Sequence, residues 1–261
     1  MKGVTMTGSL ALKGITKSFH SRHGETLALD GIDLHVDPGE FVCIVGASGC
    51  GKSTLLSIVA GLTEPTSGEA MIDDEPIAGP GPDRGLVFQG YSLYPWKSVS
   101  ENIAFGLEID GVKREERKRR VEHYLDVMNL RKWADARPSQ LSGGMRQRVA
   151  IARSLVTEPE VLLLDEPFGA LDAHTKTLMQ EFLLTLWRDT GTTVLMVTHD
   201  VEEAIYLAQR IYVLSSHPGR VKREIEVPFS AERDQSIRRD ERFLDLRDEI
   251  RGLLLAEAVE V

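Results

Sequence analysis

One eight-residue stretch limits the fold of this chain more than any other. GASGCGKS, Gly46 to Ser53, lies between the apolar run FVCIV (Phe41 to Val45) and the segment STLLSIVAGL. The first flank reads as a buried strand; the second has apolar residues at helical spacing and is closed by Gly61. Glycines at such a junction let backbone N–H groups turn inward onto phosphate oxygens, and the helix N-terminus adds a favourable dipole. The spacing fits the phosphate-binding pattern G-x-x-x-x-G-K-[ST] in its required strand–loop–helix setting. Gly46, Ala47, Ser48, Gly49, Cys50 and Gly51 then form the cradle. Lys52 is expected to bridge the β- and γ-phosphates, Ser53 to ligate Mg2+ and Thr54 to add a further phosphate contact. The loop alone does not separate a kinase, a GTPase and an ATPase.

Around this loop the chain reads as one α/β domain with a helical insertion. LALKGITKSF and LDGIDLHV precede FVCIV as strands; AMID and GLVFQ follow the first helix as shorter ones. Between Gln89 and Gln140 the character changes. KREERKRRVEHYLDVMNL places Val121, Tyr124, Leu125 and Met128 on one face of a charged helix, with Lys113 to Arg120 as its solvated face. The α/β pattern resumes with the buried strand VLLLD and a helix from Asp172 to Thr190. The strand TVLMVT, a helix opened by Asp200 and the strand IYVL follow. After a Pro218-Gly219 turn, VKREIEV alternates as a hairpin edge, and a charged helical tail begins near Ser230. The expected organisation is an α/β core over 8–90 and 160–228, a helical subdomain over 91–159 and a tail over 229–261. The chain has no internal repeat.

Composition removes several function classes. A net charge of -9 argues against nucleic acid as the main partner, because phosphate backbones select a basic footprint. Two cysteines, Cys43 and Cys50, are too few and too oddly placed for a disulfide framework and read as reduced thiols. No run approaches the length of a membrane span, and MKGVTMTGSLALKG lacks the apolar core of a signal peptide. Work at a membrane would therefore be done from one side, through another protein.

A second chemical element follows in VLLLDEP. The apolar strand carries Asp165 to its C-terminal edge, where ligands of parallel sheets bind and a carboxylate can hold Mg2+ through water. Glu166 follows directly; it reads either as a water-polarising carboxylate or as a surface acid beside a turn proline. His199 ends TVLMVT, where it is either a structural hydrogen-bonding group or a γ-phosphate contact.

LSGGMRQ, Leu141 to Gln147, changes these weights. With GASGCGKS, Gln89, VLLLDEP, Ala170-Leu171-Asp172 and Thr198-His199-Asp200, all in this order, it resembles the ABC transporter ATPase family over roughly residues 8–215. The resemblance implies a P-loop NTPase core with a mainly parallel sheet, an N-terminal antiparallel β subdomain and an inserted helical subdomain. It implies that Gln89 senses Mg2+ and the attacking water, that Glu166 is the catalytic carboxylate and that His199 is the switch histidine. Leu141, Ser142, Gly143, Gly144 and Gln147 become the signature that acts on the partner subunit's ATP, and Asp172 the dimer contact. Phe19 matches the aromatic that stacks on adenine.

A serine and two glycines opening a helix form another anion site. One nucleotide needs only one phosphate loop, so this second site implies a second copy of the chain. YPWKSV, DEPFGALDAHT and SSHPGRV together are similar to the nitrate/sulfonate/taurine importers, and Tyr94, Pro95 and Trp96 offer stiff contact area for a permease. With about 30 residues after the last expected strand, the regulatory domain of sugar-importer relatives is expected to be absent. The expectation is thus a peripheral ATPase, using ATP and Mg2+, on the cytoplasmic face of a bacterial inner membrane. It would pair with itself, dock on permease subunits and serve, indirectly, a solute-binding protein. An ABC exporter ATPase, a non-transport ABC ATPase and a small-molecule P-loop kinase are the alternatives.

Overall fold

A computed structural model describes residues 8–21 and 24–258. The opening MKGVTMT, part of the segment examined for a leader, and the last three residues of the charged tail lie outside the described residues. In chain order the elements are β1 (Leu10–Ser21), β2 (Gly24–Val36), β3 (Phe41–Val45), α1 (Lys52–Val59), β4 (Ser67–Ile72), β5 (Glu75–Pro76) and β6 (Arg84–Val87). Then come α2 (Val99–Ile109), α3 (Arg114–Val127), α4 (Gly143–Leu155), β7 (Val161–Asp165) and α5 (Ala173–Thr190). β8 (Thr193–Thr198), α6 (Val201–Leu207), β9 (Arg210–Leu214), β10 (Val221–Glu226) and α7 (Glu241–Ala258) complete the chain. The described residues fall into two units: those of 8–81 together with 180–258, and 82–179.

The first unit holds an antiparallel sheet in the order β2-β1-β4-β5. Alternation sets its register: Leu10 faces Val36 and Leu12 faces Leu34, all four buried, while their strand neighbours point outward. β2 begins at Gly24, earlier than LDGIDLHV suggests. Its first four residues are exposed, so they pair with β1 without leaving a hydrophobic period to read.

In the same unit β9, β3 and β8 run parallel, with β10 antiparallel on the edge of β9. Every residue of β3 and β8 is buried, as expected of parallel strands covered on both faces. Trp187 anchors the loop before β3: its indole donates to Gly39 O at 3.0 Å and its ring meets Phe41 edge-on at 5.8 Å. Arg233 closes the C-terminal end of α6 by donating to Leu207 O and Ala208 O at 3.1 and 2.7 Å. Its burial lowers the guanidinium pKa to about 10.

In the second unit β6 and β7 pair in parallel, Val87 opposite Leu164. GLVFQ leaves the strand at Val87, which releases Gln89 into a loop. α2 starts in a reciprocal capping box between Ser98 and Glu101, an S-x-x-E signature within the expected helical subdomain. α3 buries Val121, Leu125 and Met128 on one face, and Tyr124 reaches Leu155 O at 2.9 Å. Its charge run stays outside, tied by Glu116 to Arg119 and Arg120.

Candidate nucleotide site

The phosphate loop springs from the fully buried β3 into α1. Gly51 caps that helix with φ 98°, a left-handed conformation that costs glycine nothing, and Leu55 N donates back to its carbonyl at 2.8 Å. Ala47, Ser48 and Gly49 form an exposed tip, whereas Lys52 is 6% exposed. The lysine ammonium donates to Gly46 O at 2.8 Å and Ala47 O at 2.9 Å, so it lies folded along the inside of its own loop. Ser53 is exposed in the first turn of α1. Cys50 and Cys43 are free thiols and buried; burial pushes the Cys43 thiol well up, which keeps it protonated.

β8 pairs with β3 so that Thr198 stands opposite Val45, which brings His199 to the same sheet edge as Gly46. Asp200 caps α6, accepting from Glu202 N and Glu203 N at 3.0 and 3.1 Å. Buried Thr198 donates its hydroxyl to buried Glu203, fixing the strand end behind the histidine. His199 is exposed and lines a cleft of about 560 Å³ with Glu202, Arg251, Leu254 and Leu255. Phe19 lies on β1 and is 45% exposed, with Lys17 Nζ 5.2 Å from its ring. Phe19 is thus a surface aromatic and not part of the core.

The second unit gathers the remaining candidates. Asp165 ends β7, and Gln89 Nε2 donates to Glu166 Oε2 at 3.3 Å. Glu166 has φ 42°, and so do Tyr91 and Ser92 lie in the left-handed region at 60° and 48°. A non-glycine residue held there costs about 1–3 kcal/mol, a strain that concentrates at functional sites. Ser142 caps α4, accepting from Met145 N at 3.3 Å, and is exposed. Asp172 accepts from Thr175 N at 3.0 Å, and its hydrogen bonds to Thr175 hold the carboxyl below its ordinary range.

Two residues of the LSGGMRQ stretch are enclosed. Gly144 is buried, and a Cβ there would lie 2.7 Å from Thr175 Cγ2, so close packing against α5 already demands glycine. Gln147, grouped with the signature, is 0% exposed, and neither amide atom has a hydrogen-bond partner among the described residues. Sequence reasoning missed Arg153. Its guanidinium donates to Ser92 O at 2.7 Å and Tyr91 O at 3.2 Å, bracing the segment after Gln89 against α4. Trp96 is 68% exposed, its ring 5.6 Å from that of Tyr94.

The profile of the ABC transporter family matches residues 29–169, a span that runs from β2 through the phosphate loop and Ser142 to Glu166. The chain belongs to the ABC transporter family. This ABC ATPase has the P-loop NTPase fold, binds ATP and hydrolyses it. It is 48% identical over 257 residues to the nitrate import ATP-binding protein NrtD of Synechocystis sp., covering 96% of this chain and 97% of that one. It is 44% identical to the taurine import ATP-binding protein TauB of Burkholderia pseudomallei, covering 97% and 99%. A dimeric structure of the ATP-binding cassette MJ0796 in a post-hydrolysis state, bound to ADP and Pi, aligns with a TM-score of 0.74. Identity there is 35%, over 85% of this chain and all of the other. Among the described residues, no helix is long and apolar enough to cross a membrane.

Proposed function

We propose that this ABC ATPase powers the import of nitrate, a sulfonate, taurine or a similar small anion. Two copies would work on the cytoplasmic face of a bacterial inner membrane, docked on permease subunits that receive solute from a binding protein. Support comes from the similarity of this chain, over most of its length, to the import ATP-binding proteins and to the dimeric cassette.

In this reading the backbone from Gly46 to Gly51, with Lys52 and Thr54, holds the triphosphate, and Phe19 stacks on adenine. Exposed Ser142 and half-buried Gly143 of the partner copy grip the γ-phosphate, with Asp172 at the contact between copies. The Ser53 hydroxyl, the Gln89 amide oxygen and, through water, Asp165 are hard oxygen donors of the kind Mg2+ accepts. When bound, this ion neutralises charge on the β- and γ-phosphates. The Gln89 amide nitrogen is occupied with Glu166, which leaves its oxygen free for that task. Glu166 orients the attacking water, and His199 contacts the γ-phosphate. Closure is a population shift, since ATP touches both copies only when they meet. Tyr94, Pro95 and Trp96 pass the motion to the permease.

The observation that carries the hydrolytic assignment is the strained Glu166, set one residue beyond a strand-end aspartate and held by the amide of Gln89. Glu166→Gln should bind MgATP and form a stable dimer by light scattering while turnover falls by about 100-fold or more. Turnover near the wild-type rate would remove Glu166 from this role. Uptake of labelled nitrate and taurine, in cells carrying wild type or Glu166→Gln, tests the solute; unchanged uptake of both in the variant would count against it.

A further inference from the structure

The turn between β9 and β10 is built against the phosphate loop. Ser215 N donates to Arg220 O at 2.9 Å, and the Ser215 hydroxyl both donates to Pro218 O and accepts from Arg220 N, each at 2.9 Å. β2 clamps the turn from the side: Gly219 N donates to Ala28 O at 2.9 Å and Asp30 N to Gly219 O at 3.0 Å. Arg220 is paired with Asp30 at 2.9 Å. Gly219 approaches so closely that a Cβ there would lie 2.3 Å from the carbonyl oxygen of Cys50. A turn pinned on three sides has little freedom in where it delivers its exposed imidazole, His217.

That side chain arrives at the loop tip. His217 Nε2 is 3.5 Å from the point where a Cβ on Gly49 would stand, and both His217 and the tip residues 47–49 are exposed. The neighbouring cations are committed elsewhere, Lys52 to the carbonyls of Gly46 and Ala47 and Arg220 to Asp30. The imidazole has no hydrogen-bond or ion-pair partner among the described residues. An uncommitted N–H donor beside an anion cradle has one obvious use.

We propose that His217 is a further nucleotide-contact residue, hydrogen-bonding the polyphosphate of a nucleoside di- or triphosphate held in the 46–54 loop. The inference rests on the nucleotide-site reading above. It gives SSHPGRV, until this point a mark of subfamily likeness, a chemical role. Because the contact is made to bound nucleotide and not only to the transition state, its loss should act on affinity and spare the chemical step.

The test uses the full chain with His217→Ala, His217→Gln and Lys52→Ala, measuring MgADP affinity by calorimetry and MgATP turnover at steady state. His217→Ala should raise the MgADP Kd and the MgATP KM roughly five- to thirtyfold, with kcat within twofold. His217→Gln, which keeps a side-chain N–H donor, should recover most of the loss. Unchanged Kd and KM in His217→Ala, with binding abolished by Lys52→Ala, would overturn the role of His217 alone. Equal losses in Ala and Gln variants accompanied by a lower Tm would also overturn it, by marking His217 as structural. Binding that survives Lys52→Ala would instead sink the phosphate-loop reading itself.

Discussion

Replacing Gly144 with alanine tests whether the second signature glycine is reserved by packing, by ligand contact or by both. The new Cβ would lie 2.7 Å from Thr175 Cγ2, well inside contact distance. Thr175 is β-branched and short, and its side chain and backbone N–H both bond Asp172, so rotating it away breaks the cap of α5. Overpacking of this kind costs about 1–3 kcal/mol. Against it stands the helix-propensity gain of alanine over glycine, up to about 1 kcal/mol and smaller in a first turn. The net expectation is a loss of about 1–2 kcal/mol. At roughly 2–4 °C per kcal/mol for a chain of this size, Tm should fall by several degrees. Thr175→Ser deletes Cγ2 and keeps the hydroxyl, so in that background Gly144→Ala should cost little. Urea unfolding of the four proteins in a double-mutant cycle should then give a coupling of about 1 kcal/mol or more. Equal losses in both backgrounds would refute the packing argument. ATPase assays on the double variant separate the roles: restored stability without restored turnover assigns Gly144 a ligand-side duty as well.

Gln147→Met should leave stability unchanged or raise it by up to about 1 kcal/mol in urea unfolding, because both buried amide atoms lack partners; a clear loss would mean that the amide is bonded after all. On α3, Arg119 and Arg120 hold Glu116 down from 4.5 to about 2, so its contribution is complete above pH 4.5 and is lost as pH falls toward 2. Acid titration followed by circular dichroism should accordingly show a smaller stability loss over that window in Glu116→Gln than in wild type. Arg153→Lys keeps the charge but cannot reproduce the forked donation to Ser92 O and Tyr91 O. Hydrogen exchange should show faster opening at residues 89–94 in that variant.

Local features were the legible ones. FVCIV, the glycine loop and the following helix are contiguous, so their periods and spacing suffice to place Lys52. Asp200 and the limits of α5 were readable for the same reason, being set by capping chemistry close in sequence. The register of β2 over residues 24–27 was not, since exposed residues carry no period. α2 was legible in principle from Ser98 and Glu101, but the aromatic cluster around Trp96 drew the reading toward an interface. The contacts that shape the site are long-range. Gln89 meets Glu166, Gly144 lies against Thr175, and His217 comes near Gly49 because β3 pairs with β9 and β2 bonds the turn that follows β9. Nothing in the spacing of LSGGMRQ distinguishes the outward Ser142 from the enclosed Gln147; helix phase against α5 decides it.

The fork of Arg153 has a mechanical consequence. It bolts α4 to the adjacent carbonyls of Ser92 and Tyr91, 61 and 62 positions earlier in the sequence. With that bolt in place, the glutamine segment and the helix begun by Ser142 travel as a single strut. The fork grips the chain at its left-handed kink, Tyr91 and Ser92, so the strained turn is held in place from α4.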